Sequence, residues 1–199
     1  MRIIGGELKS RLIQFPKTKK TRPMMDRMKE TIFNVLGDSV QKVSVLDLFA
    51  GSGSLGIEAL SRGAKNVIFI DQEEIPCAVI RKNLESLRIP KSRSQVRQIA
   101  VMQAIRNLSK QKVKFGLIFV DPPFNKGFVK KILRELGRFD IVDRFGKVVV
   151  QRSQHEELPA DLKQLRLIQE KEIGQAFVDF LVPTEPGSKT PENNQEKNG

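Results

Sequence analysis

The chain of 199 residues contains no tyrosine, one cysteine (Cys77) and one histidine (His155). A lone cysteine excludes an internal disulfide framework and fits a reducing, cytoplasmic compartment. One Cys and one His cannot supply a zinc site of the usual ligands, so no metal is expected. No apolar run reaches the length of a membrane span, and no leader-like stretch precedes the first charged residues, so no membrane partner is expected. Acidic residues are the scarcer charge, 23 against 35 basic ones, for a formal net charge of +12. A chain this basic meets a polyanion, with nucleic acid as the first candidate and an anionic membrane surface as the second. The length suits one domain with a full core plus short additions.

The chain is arranged around Val43 to Gly56, VSVLDLFAGSGSLG. Val43 to Phe49 is an apolar, β-rich run with an acid, Asp47, near its end. Gly51, Gly53 and Gly56 follow, then the helix formers Leu55, Ile57, Glu58, Ala59 and Leu60. Strand, glycine turn and helix let a cofactor lie against bare backbone at a helix N-terminus. Fifteen residues past Gly56, a second apolar run ends in Asp71. An acid at that spacing sits at the tip of the neighbouring strand and can accept hydrogen bonds from ribose hydroxyls. The pattern alone fits either a nicotinamide dinucleotide or S-adenosylmethionine (SAM), which has a ribose but no pyrophosphate.

Beyond this stretch the pattern alternates. Helices are expected over 24–36, 54–62, 73–87, 101–109 and 126–136. Strands are expected over 67–70, 95–99, 115–120 and 147–151. This alternation predicts an α/β, Rossmann-like, mostly parallel sheet with helices on both faces. Two further strand-like runs, 164–171 and 176–182, predict a terminal antiparallel hairpin. Residues 183–199 hold no aliphatic or aromatic side chain apart from prolines and are expected to be a disordered tail.

Residues 1–23 read as a basic arm, a small hairpin from two short β-like runs around Gly5 and Gly6, placed outside a main domain of residues 24–182. Positions 1–30 carry nine basic residues against three acids, leaving +6. Arg2, Lys9, Arg11, Lys19, Lys20, Arg22 and Arg27 are the candidates for docking on phosphates, with strong salt dependence expected.

The second candidate site is Asp121-Pro122-Pro123-Phe124, directly after the apolar run 115–120. That is where open α/β sheets bind ligands. Neither proline can donate a backbone N–H. The loop therefore presents the Asp121 carboxylate and the Pro122 carbonyl as acceptors, with the flat ring of Phe124 beside them. Such a site suits the exocyclic amine of a stacked nucleobase. Accepting both amine protons directs the nitrogen lone pair at an electrophile, and the sulfonium methyl of SAM is one. A nicotinamide oxidoreductase has no use for this loop and normally needs a proton donor such as Tyr. The loop does not name the base, so N2 of guanine, N6 of adenine and N4 of cytosine, in RNA or DNA, stay open. Cys77 reads as core, His155 as surface, and Phe128, Phe139 and Phe145 as packing residues.

The two sites together resemble class I SAM-dependent methyltransferases that act on exocyclic amines, whose hallmark is [D/N]-P-P-[Y/F/W]. RIIGG at the start, Arg22 to Leu36, LDLFAGSGSLGIEALSRGA (Leu46 to Ala64) and VDPPF (Val120 to Phe124) resemble the RsmD family. That family methylates a guanine N2 in bacterial 16S ribosomal RNA. The resemblance implies that Asp47, Phe49, Gly51, Gly53, Asp71, Gln72 and the segment at Ala100 line SAM. It implies that Asp121, Pro122 and Phe124 hold the guanine, and that Arg22, Pro23, Asp26, Arg27 and Glu30 form an N-terminal element closing over cofactor and RNA. The implied partner is 16S rRNA or a small-subunit particle, met by a monomer. Where such enzymes commonly place Asp or Asn to meet the SAM adenine, Ala100 stands, with Gln98 and Gln103 nearby. The adenine contact then falls to a backbone group or to Gln103.

Overall fold

The computed structural model describes residues 1–15 and 26–184. Seven strands form one sheet: β1 (Ser44–Leu48), β2 (Asn66–Asp71), β3 (Ser94–Gln98), β4 (Phe115–Val120), β5 (Val142–Ser153), β6 (Leu165–Ile173) and β7 (Ala176–Pro183). Five α-helices accompany them: α1 (Asp26–Leu36), α2 (Ser54–Ser61), α3 (Glu74–Ser86), α4 (Val101–Lys110) and α5 (Phe128–Arg138). The sheet order is β3-β2-β1-β4-β5-β7-β6. The first five strands pair in parallel, and β7 is antiparallel to both β5 and β6. The expected α/β sheet with its antiparallel C-terminal hairpin is the observed fold.

Strand alternation decides which core each side chain joins. In β4, Leu117 and Phe119 pack into one cluster with residues of α1, α2 and α3. Ile118 and Val120 join the opposite cluster with α4 and α5. Strand order reverses between β1 and β4, so the crevice of this open sheet lies between the C-terminal ends of those two strands. Among the described residues no helix is long and apolar enough to cross a membrane.

Several expectations are corrected. Residues 1–15 form a single bridge, Arg2 to Leu12, rather than two strands. They do not stand off the domain, because Ile3 and Ile13 are buried in the α1–α3 core. This segment covers the outer side of α2, which explains why all eight residues of that helix are buried. β5 is 12 residues long, beginning well before Lys147, and its register against β4 shifts between Phe115 and Leu117. Gly146 permits that close approach, since a Cβ there would lie 2.8 Å from the Phe115 carbonyl oxygen. Phe145 is not a packing residue: it is 84% exposed, with the Arg144 guanidinium 5.4 Å from its ring centre. Of the expected tail, Pro183 belongs to β7 and residues 185–199 lie outside the described region.

Candidate active site

The turn after β1 is held by side chains rather than by its own backbone alone. Phe49, Gly51 and Gly53 take left-handed φ values of 58°, 57° and 77°, and Gly53 caps the start of α2. For Phe49 this conformation is uncommon, and such positions concentrate at functional sites. Asp47 Oδ2 accepts the Gly56 N–H at 3.0 Å. Asp71 Oδ2 accepts the Gly51 N–H at 3.0 Å, while its Oδ1 accepts the Glu73 N–H at 2.9 Å. Asn83 Nδ2 donates to the Ser52 carbonyl at 3.0 Å. Asp71 is therefore first a clamp on the glycine turn, and both of its oxygens already accept a backbone N–H.

Three carboxyl groups surround this turn. Asp47 is buried, and burial holds its carboxyl well above the usual range. The Gly56 hydrogen bond opposes that rise, and the charges of Asp121 and Asp71 add to it. Burial also raises Asp71. Asp121 keeps some accessible surface as a residue, but burial of its carboxyl pushes the pKa up to about 7. The charges of Asp121 and Asp71 reach Asp47, so this side of the crevice favours a cation over a further anion. A pyrophosphate would meet this cluster unfavourably. SAM carries a sulfonium and an ammonium and no phosphate, so the residues present fit SAM and disfavour a dinucleotide.

The second loop lies across the crevice. Val120 pairs with Leu48, and the Asp121 N–H points to the Leu48 carbonyl at 3.4 Å. Asp121 therefore begins where the glycine turn begins, one strand over. Pro122 is buried, Pro123 is exposed, and Phe124 is half-buried against the α1–α3 core. Phe49 packs on Phe128 with ring centres 5.3 Å apart, which stiffens the rim between the two loops.

The remaining candidates fall in three places. Gln72 and Ala100 are exposed on the same rim, Ala100 as the N-cap of α4, and the Ile99 N–H is bonded to the Asp71 carbonyl at 2.9 Å. Arg2 and Lys9 line a groove of about 410 Å³ with Asp26, Glu30 and Arg62, and this groove shares no lining residue with the Asp121 loop. Arg11 is exposed and donates to the Ser86 carbonyl at 3.2 Å, and Arg27 is exposed on α1. Lys19, Lys20, Arg22 and Pro23 lie outside the described residues.

Sequence reasoning missed three buried residues that tie the N-terminal segment to the domain, and one of them, Asn83, also reaches the glycine turn. Lys29 and Glu58 are fully buried and paired at 3.4 Å. Glu58 also accepts the Ile4 and Gly5 N–H groups at 2.9 and 2.8 Å, and Asn83 bonds both sides of the Gln14 backbone. The available signal was an acid, Glu58, inside the otherwise apolar helix LGIEAL.

Comparison with known proteins places the chain in a family. The family model described as conserved hypothetical protein 95 matches residues 1–182. YlbH of Bacillus subtilis, to which an rRNA methyltransferase activity is ascribed, is 34% identical over 87% of this chain and 94% of that protein. Ribosomal RNA small subunit methyltransferase D of Escherichia coli is 35% identical over 68% of this chain and 66% of that protein. A solved structure of yhhF from Escherichia coli, also ascribed a methyltransferase activity, superposes with a TM-score of 0.78 at 30% identity, covering 92% and 97% of the two chains. The chain belongs to the conserved hypothetical protein 95 family of RsmD-like, SAM-dependent methyltransferases.

Proposed function

We propose that this protein methylates the exocyclic N2 of a guanine in small-subunit (16S) ribosomal RNA. The observation that carries the reading is the placement of Asp121 across the β1–β4 crevice from the glycine turn. When bound, SAM supplies an electrophilic methyl group on a sulfonium. Asp47, Gly51, Gly53 and Asp71, with Phe49, Gln72 and the Ala100 segment around them, form its side of the crevice. On the other side Phe124 stacks the base, while the Asp121 carboxylate and the Pro122 carbonyl accept the two amine protons. Holding both protons favours a pyramidal nitrogen with its lone pair directed across the crevice. With its pKa at about 7, Asp121 can accept a hydrogen bond and take up the proton that the amine must lose.

The basic N-terminal segment supports an RNA substrate, as do the names of the two curated relatives. Arg2, Lys9, Arg11 and Arg27, and with them Lys19, Lys20 and Arg22, would neutralise phosphates of the RNA. The test is methyl incorporation from tritiated SAM into small-subunit rRNA, assembled small subunits and DNA, with the product nucleoside identified by mass spectrometry. N2-methylguanosine in rRNA is the expected product. N6-methyladenosine, N4-methylcytosine or labelled DNA would overturn the assignment of the base or the polymer.

A further inference from the structure

The end of the sheet opposite the catalytic rim is basic, and the reading above makes no use of it. β1, β2, β4 and β5 run in parallel, so their N-terminal ends lie together, about 20 Å from the rim. The turns that enter these strands, with the start of β5 (37–43, 62–65, 111–114 and 139–147), hold seven cations and three acids. The acids are engaged locally. Asp140 pairs with Lys114, Asp38 accepts from Gln41 Nε2 at 2.8 Å, and Asp143 accepts the Phe145 N–H at 3.1 Å. Lys42, Lys65, Lys112 and Arg144 are exposed, one at the entrance of each strand, and among the described residues none of them pairs with a carboxylate. Adjacent strands lie about 5 Å apart, so these four cations spread over about 15 Å.

One large apolar side chain is exposed among these charges. Phe145 is held out to water with the Arg144 guanidinium 5.4 Å from its ring centre. Its backbone is fixed on both sides, by the Asp143 carboxylate and by the close approach of Gly146 to the Phe115 carbonyl. Lys42 and Lys112 take left-handed φ values of 60° and 55°, a conformation that glycine adopts without strain. A fixed aromatic ring beside unpaired cations suits single-stranded nucleic acid, whose bases stack on the ring while its phosphates meet Lys and Arg. A protein partner fits less well, because the centres of protein interfaces are apolar and poor in lysine. The other exposed large apolar side chains, Leu12, Ile75, Leu167 and Ile168, lie on other elements.

We infer that this end of the sheet is a second RNA-docking surface, where an unpaired base stacks on Phe145 and nearby phosphates meet Arg144, Lys112, Lys42 and Lys65. This rests on the reading of rRNA as the substrate. The surface lies a full strand length from the crevice, so it takes a different segment of the folded RNA from the one that carries the reacting base. It adds affinity for a large RNA and takes no part in methyl transfer.

The experiment uses the full chain. Binding of naked 16S rRNA is measured by filter retention, and methyl transfer from SAM is followed on the form of rRNA, naked or assembled, that the wild type methylates faster. Phe145→Ala should weaken binding of naked 16S rRNA by about 10-fold. It should raise KM for the methylated form with kcat, SAM affinity and melting temperature unchanged, because the binding removed is shared by ground and transition states. Lys112→Ala combined with Arg144→Ala should reduce the slope of log affinity against log salt by about 1.4, the value for two phosphate contacts on a single strand. Naked 16S rRNA bound equally by wild type and Phe145→Ala overturns the inference, even if KM for assembled subunits rises, since a ribosomal protein would then be what meets the ring. A fall in kcat with RNA binding unchanged also overturns it, because the substitution would then act on the rim. Wild-type protein that methylates no rRNA overturns the substrate reading, and this inference with it.

Discussion

Asn83 ties Gln14 to the cofactor turn. Its Oδ1 accepts the Gln14 N–H at 2.8 Å, and its Nδ2 donates to both the Gln14 carbonyl and the Ser52 carbonyl at 3.0 Å. One buried carboxamide thus joins a segment 69 residues away to the glycine bend. Asn83→Ala removes three hydrogen bonds and leaves their backbone partners unpaired. The expected loss is about 2–4 kcal/mol, or about 5–12 °C in melting temperature for a chain of this size. SAM should also bind more weakly, because Ser52 loses its anchor. Thermal melts with and without SAM, compared with the wild type, read both effects.

Lys29 and Glu58 make a second tie, and their removal should not be symmetric. Lys29 Nζ donates to the Arg2 carbonyl at 2.7 Å as well as meeting Glu58. Burial lowers the Lys29 pKa, and the charge of Glu58 opposes that fall. Glu58→Leu leaves a buried ammonium and two unpaired N–H groups, at a cost of about 3–5 kcal/mol. Lys29→Met should cost less, about 1.5–3 kcal/mol, because Glu58 keeps Arg62 at 3.0 Å and the Ile4 and Gly5 N–H groups. Urea unfolding of the two variants checks the order. Equal losses would mean that the ion pair itself, not the unpaired groups, sets the cost.

Local patterns in the chain revealed the strand–turn–helix at 43–61 and the Asp121 loop, because run length, alternation and glycine spacing act over a few residues. The first half of β5 was hidden for the same reason. Asp143, Arg144 and Phe145 are exposed there, so this stretch has no buried alternation to read. The docking of residues 1–15 was hidden because it depends on Glu58, Ser61 and Asn83, each more than 50 residues distant. Asp71 was legible as an acid at the right spacing, but its bond to Gly51 was not. Spacing places a carboxylate at the rim without saying which N–H it meets first.

Gly56 separates close packing from backbone conformation as the reason for a glycine. A Cβ at this position would lie 2.3 Å from Phe69 Cε1 and 2.8 Å from Val67 Cγ1. Gly56→Ala must push α2 off β2, at about 1–3 kcal/mol, and should weaken SAM binding by distorting the Asp47 contact. Gly174, in the β6–β7 turn, has φ +63°, and a Cβ there would meet nothing within 4 Å. Gly174→Ala should cost about 1–2 kcal/mol of backbone strain and leave SAM affinity unchanged. Calorimetric titration of SAM into both variants makes the comparison.

Asp121 should show a conflict between stability and function. Burial raises its folded pKa to about 7, above the usual carboxylate value of 3.8. Between those two values the folded state binds the extra proton, so this group's contribution to stability falls as pH rises from about 4 to 7. Above pH 7 the folded protein carries a desolvated carboxylate that the unfolded chain would solvate freely. Asp121→Asn removes that penalty. Its melting temperature should exceed the wild type by about 3–10 °C at pH 8 and match it near pH 4. Activity should move the other way. In the wild type kcat/KM should rise with pH through about 7, as the carboxylate becomes available to accept the amine protons. In Asp121→Asn it should fall by about 100-fold or more and lose that pH dependence. SAM affinity should fall far less than kcat/KM, since Asp121 lies on the base side of the crevice and only its charge reaches the cofactor side. A variant that is inactive but no more stable at pH 8 would show that the carboxyl is not desolvated in the folded protein, and the assignment of the pH midpoint to Asp121 would fail.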